Sequence, residues 1–84
     1  MNNRNKILYF IVPNGEGSIL NVSVSSRNSE SLKNFYETLE KESSKEIEGE
    51  ITYGSSYSTL KVFLQEGIEK YKDLFDSFVN SIKK

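Results

Sequence analysis

The sequence has no cysteine, no histidine and no tryptophan. A chain without cysteine cannot form a disulfide, and one that also lacks histidine can offer a metal only carboxylates, which suit hard cations. We therefore predict neither a metal nor a cofactor. Histidine is the usual general acid or base near neutral pH, and cysteine is a common nucleophile. Because both are absent, the sequence predicts a protein that is not an enzyme.

Long apolar segments are absent as well. The apolar run Ile7–Val12 has six residues and ends at Pro13, the single proline of the chain. A signal-peptide core takes about 7–15 apolar residues and a membrane span about 20, so we expect neither. The net charge of −1 gives no global attraction to nucleic acid or to an anionic membrane. Because the lack of cysteine also fits a reducing compartment, we predict a cytoplasmic protein.

The chain contains an internal repeat. Ser18–Val24 aligns with Ser58–Leu64 at an offset of 40, and Leu32–Leu39 matches Tyr71–Phe78 in chemical class at an offset of 39. Such a repeat indicates two supersecondary units that share one core. We expect residues 1–84 to form a single domain, because 84 residues suffice for only one small core. It would have a polar, flexible tail at 1–5, a first unit at about 6–43 and a second unit at about 46–84.

Each unit predicts two strands followed by a helix. Strands are expected at Lys6–Val12, Ile19–Ser25, Glu46–Tyr53 and Thr59–Leu64, because apolar side chains either run continuously or alternate with polar ones. Each helix has an apolar stripe: Leu32, Phe35, Tyr36 and Leu39, then Ile68, Tyr71, Leu74, Phe75, Phe78, Val79 and Ile82. The predicted fold class is α+β, a two-layer sandwich of ββαββα order. A four-stranded, mainly antiparallel sheet would have both helices on one face.

The strand order is predicted from apolar character. Because Lys6–Val12 is almost continuously apolar, we expect it to be central and at least partly covered on both faces. Placing the two hairpins side by side then gives the order 2-1-3-4, in which all neighbours are antiparallel.

The sheet face opposite the helices is the predicted interaction surface. Three strands give it mostly polar side chains: Asn21, Ser23, Ser25, Glu48, Glu50, Thr52, Lys61 and Phe63. The first strand adds one of two apolar sets, and the sequence leaves open which: Ile7, Tyr9 and Ile11, or Leu8, Phe10 and Val12. Exposed apolar surface of this kind predicts an interface, either with a protein partner or with a second copy in a homodimer.

Two further patterns are candidates for recognition. The loop between Tyr53 and Tyr57 has the Tyr, Ser and Gly composition of adaptable binding loops, although an ordinary hairpin whose tyrosines close the core edge explains it too. Tyr9 or Phe10, together with Phe63, could stack bases of single-stranded nucleic acid. Acidic side chains on the same face argue against nucleic acid, and as a solvated pair they are not expected to be catalytic: Glu48 and Glu50.

These patterns together predict a small, non-enzymatic protein-interaction module. Its Asn-, Lys-, Ser- and Ile-rich composition is typical of AT-rich genomes and suggests an inhibitor of phage or mobile-element type that binds a host protein. The predicted partner-binding residues are Tyr53, Tyr57, Phe63, Tyr9, Phe10, Glu48 and Glu50. The alternative is a nucleic-acid- or small-ligand-binding module that uses the open sheet face.

Overall fold

A computed structural model describes residues 6–83, and the predicted tail at 1–5 lies outside them. The elements are β1 (Ile7–Asn14), β2 (Gly17–Ser25), α1 (Ser29–Glu42), β3 (Glu48–Tyr53), β4 (Tyr57–Leu64) and α2 (Lys72–Lys83). Short 3-10 turns at Ser26–Asn28 and Ile68–Tyr71 precede the helices. The four strands form one antiparallel sheet. The predicted α+β class and ββαββα order are therefore confirmed.

The strand order is β1-β2-β4-β3, so the predicted order 2-1-3-4 is wrong. β1 is an edge strand, and all its residues after Ile7 are exposed. The prediction failed because a continuous apolar run was taken to mean burial on both faces. The central strands are instead β2 and β4, which alternate strictly and bury every second side chain.

The two units are related by an approximate two-fold axis between β2 and β4. Asn21 of the first unit pairs with Lys61 of the second, and these are equivalent positions at the repeat offset of 40. The same axis relates β1 to β3, with Ile7 equivalent to Ile47. The repeat therefore specifies which strands meet at the centre, since each unit contributes its alternating strand to the same pairing.

The core lies between the sheet and the two helices. Its fully or almost fully buried members come from both units: Leu20, Val22, Val24, Leu32, Phe35, Leu39, Leu60, Val62, Leu64, Tyr71, Phe75, Phe78 and Ile82. The Phe35 and Phe78 rings stack at a centroid distance of 4.5 Å and join the helices. Two equivalent serines anchor the helix starts. Ser18 Oγ accepts a hydrogen bond from Ile68 N, and Ser58 Oγ hydrogen-bonds Ser29 Oγ.

Candidate interaction surface

The open face of the sheet, opposite the helices, has three registered rows of side chains. From β1 to β3 they are Val12, Ile19, Phe63 and Glu48; Phe10, Asn21, Lys61 and Glu50; and Leu8, Ser23, Thr59 and Thr52. Only one pair in these rows forms a side-chain hydrogen bond that spans two strands, Ser23 with Thr59 at 3.0 Å, among the residues described. The open face is therefore apolar along β1 and onward through Ile19 to Phe63, polar over the rest of β2 and β4, and acidic along β3.

We call the apolar part of this face the apolar strip. It comprises Leu8, Phe10 and Val12 on β1 and extends through Ile19 to Phe63. The three β1 side chains are 55%, 60% and 43% exposed. Their equivalents in the second unit, at the repeat offset of 40, are Glu48, Glu50 and Thr52. The two units thus place opposite chemistry at equivalent edges of one sheet.

The helix side of β1 is only partly covered. The Tyr9 and Phe75 rings make a T-shaped contact at a centroid distance of 4.9 Å, yet Tyr9 stays 53% exposed. At the equivalent place in the second unit, Tyr36 Oη donates a hydrogen bond to the Gly49 carbonyl at 3.3 Å. A Cβ on Gly49 would lie only 2.9 Å from the Tyr36 ring. Glycine therefore lets Tyr36 of α1 rest directly on β3, whereas Tyr9 at the equivalent position of β1 stays more than half exposed.

The backbone edge of β1 also faces outward. A two-residue turn at Gly15 and Glu16, with Gly15 at φ 63°, makes Asn14 and Gly17 the closing hydrogen-bonded pair. Antiparallel pairing alternates from there, so the N–H and C=O groups pointing away from β2 belong to Ile7, Tyr9 and Ile11. Position 13 also points its backbone groups away from β2, but proline has no N–H to donate there. No charge lies between Ile7 and Asn14, although charges are a common protection of edge strands.

The predicted binding residues do not form one patch. Phe10, Phe63, Glu48 and Glu50 share the open face, whereas Tyr9 is on the helix side. Tyr53 and Tyr57 are 59% and 56% exposed, so neither side chain closes the edge of the core. They point to opposite faces of the sheet. Tyr53 pairs with the buried Ser58 and so lies on the helix side, whereas Tyr57 lies on the open face with Lys61 of the same strand. A flat partner surface can reach only one of the two.

A cluster around Glu66 was missed at the sequence level. Its carboxylate accepts hydrogen bonds from Ser44 Oγ at 2.6 Å, Lys70 Nζ at 2.8 Å and Tyr71 Oη at 2.8 Å. The cluster joins the end of α1 to the start of the second helical segment. The only local signal was the spacing of Glu66 and Lys70 by one helical turn, since Ser44 is 22 residues away in the chain.

The charges of this cluster do not favour catalysis. The hydrogen bonds from Lys70, Ser44 and Tyr71, in decreasing order of effect, lower the pKa of Glu66 to about 2. The same contact raises the pKa of Lys70. Lysine therefore stays protonated 3.4 Å from Ser44 Oγ, and a protonated lysine cannot act as the base that a serine nucleophile needs. The arrangement works as a clasp that ties the segment after α1 to the segment leading into α2.

One further concave surface lacks ionisable side chains. A groove of about 390 Å³ runs between the helices on the outside of the molecule, lined by Ser31, Asn34, Phe35, Thr38, Leu74, Ser77, Phe78 and Ser81. None of these side chains titrates near neutral pH. In residues 6–83 there is no group of three or more carboxylates placed to hold a metal ion.

Comparison with known proteins found no matching family model, no matching curated protein and no matching solved structure. Within the described range, no helix is both long and apolar enough to cross a membrane.

Proposed function

We propose that this chain is a small, non-catalytic protein-interaction module that binds a protein partner through β1 and its apolar strip. The observation that supports this most directly is the contrast between equivalent edges. Where the second unit has Glu48, Glu50 and Thr52, the first unit exposes Leu8, Phe10 and Val12. The other edge strand of the same scaffold has polar residues at the equivalent positions, so an apolar set at the sheet edge is not a general requirement of this fold.

The size of the strip fits such a role. If a large side chain has about 200 Å² of surface, the three β1 residues, each about half exposed, present about 300 Å². Ile19 and Phe63 enlarge this area at one end. The largest apolar patches on monomeric proteins reach about 300–600 Å² and are often functional.

Nucleic acid or a small ligand on the open face is the weaker alternative. Phe10 and Phe63 lie on one face, as base stacking would need, but they come from different rows and are separated by β2. Along the far edge Glu48 and Glu50 would repel phosphates, with Lys61 as the basic residue of the three rows. A protein surface with apolar and basic groups complements this face better.

An inhibitor of phage or mobile-element type, acting on a host protein in the cytoplasm, is the sharper form of the proposal. Composition supports it: the chain has no cysteine and its make-up suits an AT-rich genome. The strip supplies the surface that such an inhibitor would use.

The test replaces the three β1 residues of the strip with the residues at the equivalent positions of the second unit. The triple variant Leu8→Glu, Phe10→Glu and Val12→Thr is expected to fold, because all three side chains are exposed. The matched control, Asn34→Glu with Asn80→Glu, adds the same two charges at exposed helix positions. Each immobilised protein is incubated with a lysate of the source cells, and the bound material is identified by mass spectrometry and nucleic-acid staining.

The proposal predicts one stoichiometric protein on the wild type and on the control, and its loss from the triple variant. Equal protein recovery on all three would contradict the strip as the binding surface. Recovery of nucleic acid alone would favour the alternative instead. Circular dichroism and thermal unfolding of each variant establish that a loss of binding is not a loss of fold.

A further inference from the structure

We infer that β1 pairs antiparallel with β1 of a second copy of this chain, so that two four-stranded sheets join into one eight-stranded sheet. The inference rests on the proposed function, because it names a second copy as the occupant of the same edge. Pairing occurs in the plane of the sheet. The open face, with its apolar strip, therefore remains available to a further partner.

The outward backbone groups favour one register. Ile7, Tyr9 and Ile11 point their N–H and C=O groups away from β2, and Tyr9 is the central one. A two-fold axis at Tyr9 pairs Tyr9 with Tyr9 of the second copy and Ile7 with Ile11, and each pair exchanges two hydrogen bonds. A shift by one pair would set Ile7 against Pro13, which has no N–H to donate. The chain thus offers a self-complementary edge that ends where the proline begins.

The side chains agree with this register. Leu8 would lie directly opposite Phe10 of the second copy on the open face, at a position where Cβ atoms approach to about 4.5–5.5 Å. Both residues are more than half exposed. Their pairing would join the two apolar strips across the axis into one patch. The edge of β3 could not pair with itself in the same way, because the equivalent residues Glu48 and Glu50 would repel.

Two of the charges on the helix side are also self-complementary. A cavity of about 190 Å³ next to Tyr9 is lined by β1 and by the second helical segment, where Glu69, Lys72 and Asp76 are the charged residues. Phe75 is at the level of Tyr9, which it contacts, and opposite charges lie on either side of it in the helix. Since the two-fold axis makes the two α2 helices antiparallel, Lys72 of each copy would face Asp76 of the other. Neither forms an ion pair within residues 6–83.

The proposed pairing would repeat an arrangement that the chain already uses internally. β2 and β4 join two equivalent units about an approximate two-fold axis, with one helix of each unit lying on the same side of the sheet. Strands are about 4.8 Å apart and packed helices about 8–10 Å apart. Eight strands would accordingly accommodate four helices at an even spacing, with α2 beside its copy.

The area that the two chains bury sets the expected affinity of the dimer. The five exposed apolar residues of β1, Leu8 to Val12, are about half exposed, so they present roughly 500 Å² per chain at about 200 Å² for a whole residue. Because in-plane pairing leaves much of the open face accessible, two chains would bury less than about 1,000 Å² from them, which is below the usual lower limit for a specific interface. We therefore expect a dimer that dissociates on dilution through the micromolar range, not an obligate one.

Disulfide trapping tests the register, because the chain has no cysteine of its own. In a hydrogen-bonded antiparallel pair the Cα atoms are about 5.5 Å apart, within the range of a disulfide. Tyr9→Cys should therefore form a covalent dimer on mild oxidation. Ile7→Cys alone should not, because its two copies would lie four residues apart along the strands, about 13 Å. Mixing Ile7→Cys with Ile11→Cys should restore cross-linking, and when one of the two variants is labelled with ¹⁵N the mass should identify the mixed dimer.

Analytical ultracentrifugation tests the association without cysteine. Ile11→Pro removes one outward donor per chain, as Pro13 does naturally, and should raise the dissociation constant of the dimer by roughly 10- to 100-fold relative to Ile11→Ala. A wild type that stays monomeric at several hundred micromolar would overturn the inference, and so would equal cross-linking of Tyr9→Cys and Ile7→Cys. If self-association fails while the triple variant still loses its foreign partner, the proposed function stands and only the second copy is wrong.

Discussion

Leu20 and Leu60 occupy equivalent positions on the two central strands, and replacing either with alanine should destabilise the protein to a similar extent. Both side chains are fully buried on the helix side of the sheet. The approximate two-fold axis gives them matching environments, since Leu20 pairs with Val62 and Val22 pairs with Leu60. The pair therefore tests the central position of β2 and β4 directly.

The magnitude follows from complete burial. Replacing a buried leucine with alanine removes its transfer free energy and leaves a cavity, at a cost of about 3 kcal/mol. A domain of 84 residues has a free energy of unfolding of roughly 4–13 kcal/mol. Each variant should thus lose a large part of that stability, and its Tm should fall by about 12–24 °C.

Chemical denaturation at a protein concentration that keeps the chain monomeric provides the measurement. Leu8→Ala is the control, because Leu8 is more than half exposed on the edge strand and should cost about 1 kcal/mol or less. A Leu8→Ala variant as unstable as Leu20→Ala would refute the edge position of β1. Costs for Leu20→Ala and Leu60→Ala that differ by more than about 2 kcal/mol would contradict the equivalence of the two units.

Two further predictions concern the segment that leads into α2. Because the pKa of Glu66 is held at about 2, below its ordinary value of 4.5, the clasp stabilises the fold fully above pH 4.5 and loses this contribution as pH falls towards 2. Thermal unfolding should show Glu66→Gln less stable than the wild type at pH 7 and the difference shrinking towards pH 2; a constant difference would disprove the linkage. Gly67 has φ 86° and ψ 157°, a region almost confined to glycine, so Gly67→Ala should cost about 1–3 kcal/mol in denaturant titrations. Gly15→Asn, at φ 63°, is the control and should cost less than about 1 kcal/mol, because asparagine adopts this left-handed conformation more readily; equal costs would contradict the argument.

Part of the candidate surface was predictable from residue patterns. Glu48, Glu50, Lys61 and Phe63 were expected on the face opposite the helices, because strand side chains alternate, and the register places them there. The sequence did not indicate which apolar set of β1 faces away from the helices. The structure places Leu8, Phe10 and Val12 on the open face, but Tyr9 and Ile11 on the helix side also remain exposed. Alternation cannot reveal this, because it reports which side chains share a face and not whether anything covers that face.

The sequence by itself determined the order of the elements, the inward side chains of β2 and β4 and the turn at Gly15. These depend on periodicity and turn chemistry over a few residues, which neighbouring positions in the chain specify. Only the tertiary structure decided that β1 is an edge and that Glu66 meets Ser44. Both depend on contacts between distant residues: the two alternating strands bury more by pairing with each other, and this leaves the most apolar strand at the edge of the sheet.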